Sequence, residues 1–425
     1  MTLYRVEAVV LFIIAAVLTG VFLMLKPAGN ISKEIAEFTW LGYKSCFIAS
    51  DGRVMRPREG DSVSEGQAYA MLRAVWMRDK DTFDRCYRWA EDNLSRRLKT
   101  GDSLLAWHWK DGTIADWMPA SDADVDYALS LIFADSLWRG QAPKGTEDYG
   151  VKARKVLGDI LRLETYLTGK GRVYLSPWII ADKTAERFPV NPSYYSPAHF
   201  RVFYRFTEDR RWLELVDTTY YLLGQLSGSL NGQAGKGLVP DWCSVDRGDL
   251  FYPLEGKNDG FGWEAVRIPL RVAMDYRWFN SPEAKRFFDG SAEPNPAFSG
   301  QDKERGSPSI LSRLRPKGRS SRRVDSGLSI FIENEWKQNK TVYCEYTYNG
   351  VCHNKYENPL FYAAYYCALS ATSSPYARDM LEKMRSYIIK DRDGWLYQGP
   401  DEYYVNSLAW FADGFISGTI ENCYK

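Results

Sequence analysis

The chain has 425 residues, enough for one large domain or two ordinary ones with a sizeable core. Its 55 basic and 54 acidic residues leave a formal net charge of +1, which argues against nucleic acid as the main partner. Three histidines (His108, His199 and His353) are too scattered for a zinc site and none of the seven cysteines forms a CxxC pair, so no metal and no organic cofactor is implied. Aromatic residues reach 15%, with 15 Trp and 28 Tyr. Such rings grip sugars in many binding clefts, and they also fill helical cores; composition weighs the two readings evenly.

The first element is an apolar run. From Ala8 to Leu25 the chain reads AVVLFIIAAVLTGVFLML, and as a helix it extends about 27 Å, close to the hydrocarbon thickness of a bilayer. Arg5 precedes it, and Lys26-Pro27-Ala28-Gly29 ends it without an A-x-A cleavage pattern, which favours an uncleaved single-pass anchor over a cleaved signal peptide. Residues 1–30 are read as anchor and linker, with residues 8–25 in the membrane. Glu7 offsets Arg5 and Lys26 lies on the far side, so charge alone leaves the orientation open.

Residues 31–425 read as one helix-rich domain with few, short strand-like runs. Ser64–Met77 has a capping-box pattern in Ser64 and Gln67 and an apolar stripe of Ala68, Met71, Leu72 and Val75. Helices are also expected at Asp81–Leu98 and at Ser121–Trp138, where Val125, Ala128, Leu129, Ile132 and Phe133 share a face. Ser196-Pro197 opens another as a cap followed by proline. Arg211–Leu226, Asn358–Ala371, Ala377–Lys390 and Tyr403–Ala412 complete the set. Between them, residues 291–325 are rich in Gly, Pro, Ser and charge and end in a basic run from Arg313 to Arg323, the pattern of a mobile, solvated insertion. Cys344 and Cys352 flank the hairpin dipeptide Asn349-Gly350, a spacing open to a disulfide outside the cytoplasm, with buried thiols the plainer reading for most of the seven.

Three helix starts gather acidic or aromatic residues in their first turn: Ser64-Glu65-Gly66-Gln67-Ala68-Tyr69, Ala120-Ser121-Asp122-Ala123-Asp124 and Asn191-Pro192-Ser193-Tyr194-Tyr195. If these ends share one side of a helical assembly, carboxylates and rings line a common mouth. Glycosidic hydrolysis needs one carboxylic acid to protonate the leaving oxygen and one carboxylate to activate water or attack the sugar. Glu65 is a candidate acid. A helix N-terminus lowers its pKa, and neighbouring Asp122 and Asp124 raise it again, so the cluster makes chemical sense only as a set.

Six motifs in order resemble glycoside hydrolase family 8. Val63–Leu72 is similar to the acid-bearing motif, and Ala120–Ala128 to the signature. Asn191–Ala198, Gly237–Trp242, Arg267–Arg271 and Tyr403–Trp410 follow in the family's sequence, so the resemblance runs from Trp40 to Asp413. It implies an all-α (α/α)6 barrel and an inverting hydrolase of β-1,4-linked glucan, xylan or chitosan. By position, Glu65 resembles the general acid, Asp122 the carboxylate holding the sugar at the cleavage point, and Tyr194 a tyrosine near the attacking water. Asp124, Arg267 and Tyr69 lie in the same motifs and join Trp117 and Trp263 as expected substrate contacts.

One departure concerns the base. The family's usual Tyr-Asp-Ala-x-Arg reads Trp263-Glu264-Ala265-Val266-Arg267 here, so Glu264 takes the base position. Its extra methylene moves the carboxylate by roughly an ångström, and misplacement of that size costs about 100-fold in rate. Either the backbone retreats to compensate, or the base lies elsewhere (Asp259, Asp275 or the Ser291–Arg323 insertion), or the enzyme is slow or inactive. The expected function is therefore an endo-acting hydrolase of a cellulose-like glucan, single-pass in a bacterial inner or plasma membrane, with its barrel outside and linked to an exopolysaccharide synthesis or export complex. The alternatives are a weakly active or non-catalytic polysaccharide-binding protein, or a hydrolase of chitosan, xylan or an N-acetylhexosamine polymer.

Overall fold

In the computed structural model the described residues are 28–291 and 327–424. The apolar stretch at 8–25 lies outside them, as does nearly all of the basic insertion. No described helix is long and apolar enough to cross a membrane.

The chain begins its described course with α1 (Ala28–Phe47), so the expected linker is already helical at residue 28. Three helical hairpins follow: α2 (Ser64–Trp76) with α3 (Lys80–Asn93), α4 (Ser121–Trp138) with α5 (Tyr149–Leu163), and α6 (Pro197–Thr207) with α7 (Arg211–Gly228). Next come α8 (Arg267–Phe279), α9 (Pro282–Asp289) and α10 (Leu328–Asn339), then the hairpin of α11 (Pro359–Ala371) and α12 (Ala377–Arg385). Two short helices end the series, α13 (Tyr403–Leu408) and α14 (Phe411–Ile416). Contacts run α2–α4–α6–α8–α11 and return through α13 to α2, closing an inner ring, while α3, α5, α7, α9 and α12 pack outside it. α1 lies against α13 and α14 and is the outer helix of the sixth pair. This is the expected (α/α)6 barrel.

Inner and outer helices differ in pattern for a physical reason. A helix packed on all sides needs apolar or satisfied residues all round, whereas an outer helix needs one apolar stripe. Accordingly α2 is buried at every position but Glu65, and α4 from Ser121 to Asp135, so the single stripes expected on them were too narrow. On outer α3 the buried set shrinks to Thr82, Phe83, Cys86, Tyr87, Trp89 and Ala90.

Three local expectations are corrected. The capping box does not form: Val63 is the extended N-cap, the Ser64 hydroxyl has no partner, and Gln67 instead accepts from Val54 N (3.1 Å) and donates to the carbonyls of Gly52 (2.7 Å) and Cys86 (2.9 Å). The helix expected to reach Lys390 stops at Arg385, because β-branched Ile388 and Ile389 enter an antiparallel hairpin opposite Leu396 and Tyr397. Cys344 and Cys352 are separate thiols. The Asn349-Gly350 hairpin forms, but its register sets Cys352 opposite Tyr346, so the two cysteines are not cross-strand partners.

Arg73 fastens the sixth pair to the first. Its buried guanidinium donates to Asn406 O (3.2 Å), to Thr39 Oγ1 (2.8 Å) and to Ala36 O (3.4 Å), and lies 4.5 Å from the Trp410 ring centre. One side chain on α2 thus holds α1, α13 and the segment before α14. Arg73→Ala removes three buried hydrogen bonds and the packing against Trp410, and is expected to cost about 3 kcal/mol, read as a lower urea midpoint with an unchanged slope.

Candidate active site

The starts of the inner helices converge on one mouth. Glu65 opens α2, Asp122 opens α4, Tyr194 ends the short 3-10 turn before α6, Arg267 opens α8, and Tyr403 and Tyr404 open α13. Together they line a cavity of about 420 Å3, with Trp107 on one wall and Trp263 on another. Gly66 makes room for this convergence: a Cβ there would lie 2.4 Å from the Tyr403 hydroxyl oxygen.

At the floor sits Arg267, only 3% exposed. Its Nη1 donates to Glu65 Oε2 and Asp122 Oδ2, each at 2.8 Å, and its Nη2 donates to Glu264 Oε2. Nε reaches Ser193 Oγ at 3.1 Å, and the guanidinium carbon stands 5.1 Å from the Tyr194 ring centre. The two carboxylates named as acid and base are therefore held by opposite ends of one guanidinium. Asn191 Nδ2 donates to the same Glu264 Oε2 at 2.9 Å, which leaves Oε1 for the cleft. Asn191 is itself fixed by Ser193, whose N and Oγ both donate to Asn191 Oδ1. One turn below, Arg271 holds Asp126 through two bonds of 2.8 and 2.9 Å, so a second ion pair supports the first.

Burial raises the Glu65 carboxyl to about 7; Arg267 opposes the shift, while Asp122 and Glu264 add to it. The Asp122 carboxyl is also pushed up by burial, against Arg267. Burial is thus the main remedy for the helix N-terminus that disfavours a protonated Glu65, with like charge second. Glu65 Oε1 lies 3.5 Å from the Tyr403 hydroxyl, and the side chain keeps 22% exposure toward the cleft.

Six expected site residues meet here: Glu65, Asp122, Tyr194, Trp263, Glu264 and Arg267. Three do not. Tyr69 is buried beneath Arg267, its hydroxyl 3.4 Å from Nη1, and faces the interior, because it lies one helical turn in from Glu65. Asp124 points behind the mouth, where its Oδ1 accepts from Leu105 N at 3.0 Å. Trp117 is covered by Lys99, 4.3 Å from its ring, and Trp107 takes the wall position instead. Arg56, Arg58 and Glu402 also border the cavity and had no signal in the motifs; Arg58 pairs with Glu402 across it. Asp259 and Asp275, the alternative bases, are absent from its lining, and Asp275 is fully buried with Arg201 and Tyr220.

Residues 16–288 match glycosyl hydrolases family 8. The chain belongs to that family. Endoglucanase A of Acetivibrio thermocellus is 30% identical over 318 residues, 65% of this chain and 61% of that protein. The endoglucanase of Escherichia coli K12 is 29% identical over 264 residues, 60% of this chain and 67% of that protein. The chain spans 56–61% of the length of the first curated relatives it matches. Among solved structures, an endo-1,4-D-glucanase from Vibrio fischeri ES114 aligns with a TM-score of 0.65 at 22% identity, covering 89% of this chain and 94% of that one. A β-1,3-1,4-glucanase from Paenibacillus sp. X4 gives 0.69 at 21%, covering 92% and 93%. At such identity these establish the barrel fold, which continues through α11–α14 beyond the family match.

Behind Asp122 the family 8 barrel buries a second acidic group. Glu164, at the end of α5, is fully buried with both carboxylate oxygens unpartnered, and Asp124 Oδ2 is unpartnered too. Burial raises Asp124 to about 8 and Glu164 well above the usual range, with the charge of Asp124 adding to the shift of Glu164. Carboxyls raised on folding bind more protons in the native state, so they favour folding at low pH and this advantage is lost as pH rises toward 8. Glu164→Gln keeps a neutral donor there, and its stability relative to the unaltered protein is expected to rise by more than about 1 kcal/mol between pH 5 and pH 8.5 in urea melts. A parallel pair of curves would refute the assignment.

Proposed function

We propose that this chain is an endo-acting, inverting β-1,4-glucanase in which Glu65 protonates the leaving oxygen and Glu264 draws a proton from the attacking water. The observation that carries the reading is the shared guanidinium of Arg267, which holds both carboxyls at one cleft while Glu65 keeps its proton to about pH 7. Asp122, on the same nitrogen as Glu65, is placed to hold the hydroxyls of the sugar being cleaved. Trp107 and Trp263 supply apolar faces on two walls for flanking rings.

Charge narrows the polymer. Six carboxylates (Glu59, Glu65, Asp122, Glu264, Asp401 and Glu402) face three guanidinium groups (Arg56, Arg58 and Arg267) in the lining. An acid-rich cleft disfavours a uronate-bearing chain and leaves neutral glucan, neutral xylan and cationic chitosan; among these we take the glucan. The endoglucanase names of the curated relatives point the same way. The apolar run at 8–25 supports a single-pass anchor with the barrel outside a bacterial inner membrane, where such an enzyme meets exopolysaccharide as it is made or exported. A non-catalytic binder is favoured by one observation, the glutamate at the base position; Glu264→Asp separates the readings, since binding without turnover in either form supports the binder.

Two measurements test the chemistry. Turnover of hydroxyethylcellulose, a neutral soluble β-1,4-glucan, is expected to fall as pH rises through about 7, where Glu65 loses its proton, and Glu65→Gln is expected to lower kcat at least about 100-fold. Unaltered turnover in that variant would remove Glu65 from the acid role. Proton NMR of the first-formed product is expected to show the α-anomer, and a β-anomer would replace inversion with retention.

A further inference from the structure

The stretch Gly237–Trp242 contains a carboxylate that the proposed mechanism does not use. Asp241 is 5% exposed and accepts four hydrogen bonds. Its Oδ1 takes the backbone N–H groups of Gly262 (3.0 Å), Glu264 (3.1 Å) and Ala265 (2.7 Å), and its Oδ2 takes Asn258 Nδ2 (2.7 Å). These N–H groups belong to the turn that runs into α8, closed by Val266 N to Gly262 O at 3.0 Å and Arg267 N to Glu264 O at 3.2 Å. The first N–H groups of a helical segment have no partner in their own backbone and are usually met by a residue just before it. Here they converge on a side chain far earlier in the chain, with separations of 21, 23 and 24 residues. The fit is close: a Cβ on Gly262 would stand 2.8 Å from Asp241 Oδ2. The loop is tied again by Asp241 N to Gly260 O at 2.7 Å and by Phe261 N to Tyr346 O at 2.9 Å.

We propose that Asp241 is a positioning residue for the general base. It bonds the backbone of Glu264 directly and so sets where that side chain starts, while Asn191 and Arg267 set where it ends. With a glutamate one methylene longer than aspartate, both ends must be held for the carboxylate to meet the water. The role rests on the reading of Glu264 as base.

The test exchanges one hydrogen-bonded pair. In Asp241→Asn the amide oxygen keeps the three backbone bonds, but its NH2 then confronts the NH2 of Asn258. In the double variant Asp241→Asn, Asn258→Asp, the donor and acceptor are swapped and the pairing is restored. The carboxylate introduced at position 258 still accepts from Gly260 N, as the Asn258 amide oxygen does at 3.1 Å. On hydroxyethylcellulose, Asp241→Asn is expected to lose about tenfold or more in kcat with KM within about twofold, and the double variant to recover most of it. With β-cellobiosyl fluoride, whose fluoride leaves without a proton from Glu65, the Asp241→Asn deficit is expected to persist and that of Glu65→Gln to shrink. A deficit in Asp241→Asn that vanishes on the fluoride, a kcat equal to that of the unaltered enzyme, or a double variant no better than the single one would overturn the proposal. If Asp241→Asn does not fold, Asn258→Ala leaves the three backbone bonds and withdraws the fourth donor together with the acceptor for Gly260 N, and is expected to lower kcat severalfold on both substrates; no change in either overturns the role. Absence of turnover in the unaltered chain would instead overturn the glucanase reading, and the positioning role with it.

Discussion

A single buried guanidinium sets the terms for the rest of this molecule. Arg267 alone in the barrel floor would be a costly buried charge, and so would the equally buried Asp122. Together they hold one another. Three carboxylates around one guanidinium also leave an excess of negative charge. Burial, helped by the like charge of Asp122 and Glu264, keeps a proton on Glu65 against the pull of Arg267, so the contact that positions the acid is not the one that loads it.

The layers around the cluster follow from that demand. Arg271 with Asp126 lies one helical turn below and fixes the axis on which Arg267 rides. Asn191 and Ser193 brace from the side, and Asp241 from beneath the loop. Substitution of glutamate for aspartate at position 264 looks disruptive in sequence, yet two donors meet a single oxygen of the longer side chain. A freely rotating glutamate would have to give up more rotamer freedom to reach the water; this one has already given it up.

Much of the barrel was readable in the chain. α4 matches its expected span at both ends, and the polar starts of α2, α4 and α6 do face a common mouth. Failures have separable causes. Asp124 and Tyr69 sit in the right motifs, but side chains further along a helix from its start turn away from the mouth, and only the ring's curvature says which way. Trp107 and Trp117 are equally plausible by type, and a covering lysine decides between them. Arg58 and Glu402 come from connections whose path depends on the fold, and Asp241 acts on backbone groups, which leave no mark in residue types. α1 was missed as a barrel element because its apolar face is broken by the buried hydroxyls of Ser32, which meets Arg385 across the ring, and Thr39, which donates to Ile35 O within α1 and accepts from Arg73.

Closure of the ring by α1 also bears on how the chain reaches this state. Tyr43 meets Ser407 across 364 positions, Arg385 reaches back to Ser32, and Trp76 donates to the carbonyl of Glu421. The sixth hairpin is therefore assembled from segments made at very different moments of synthesis. The hairpins between can form as they emerge, but the seam waits for the segment that carries α13 and α14, and until then α2 presents an unfilled flank. Loop-closure entropy makes such a seam slow and late. The flank that stays uncovered until the seam closes is inner-ring surface of the kind on which misassembly acts.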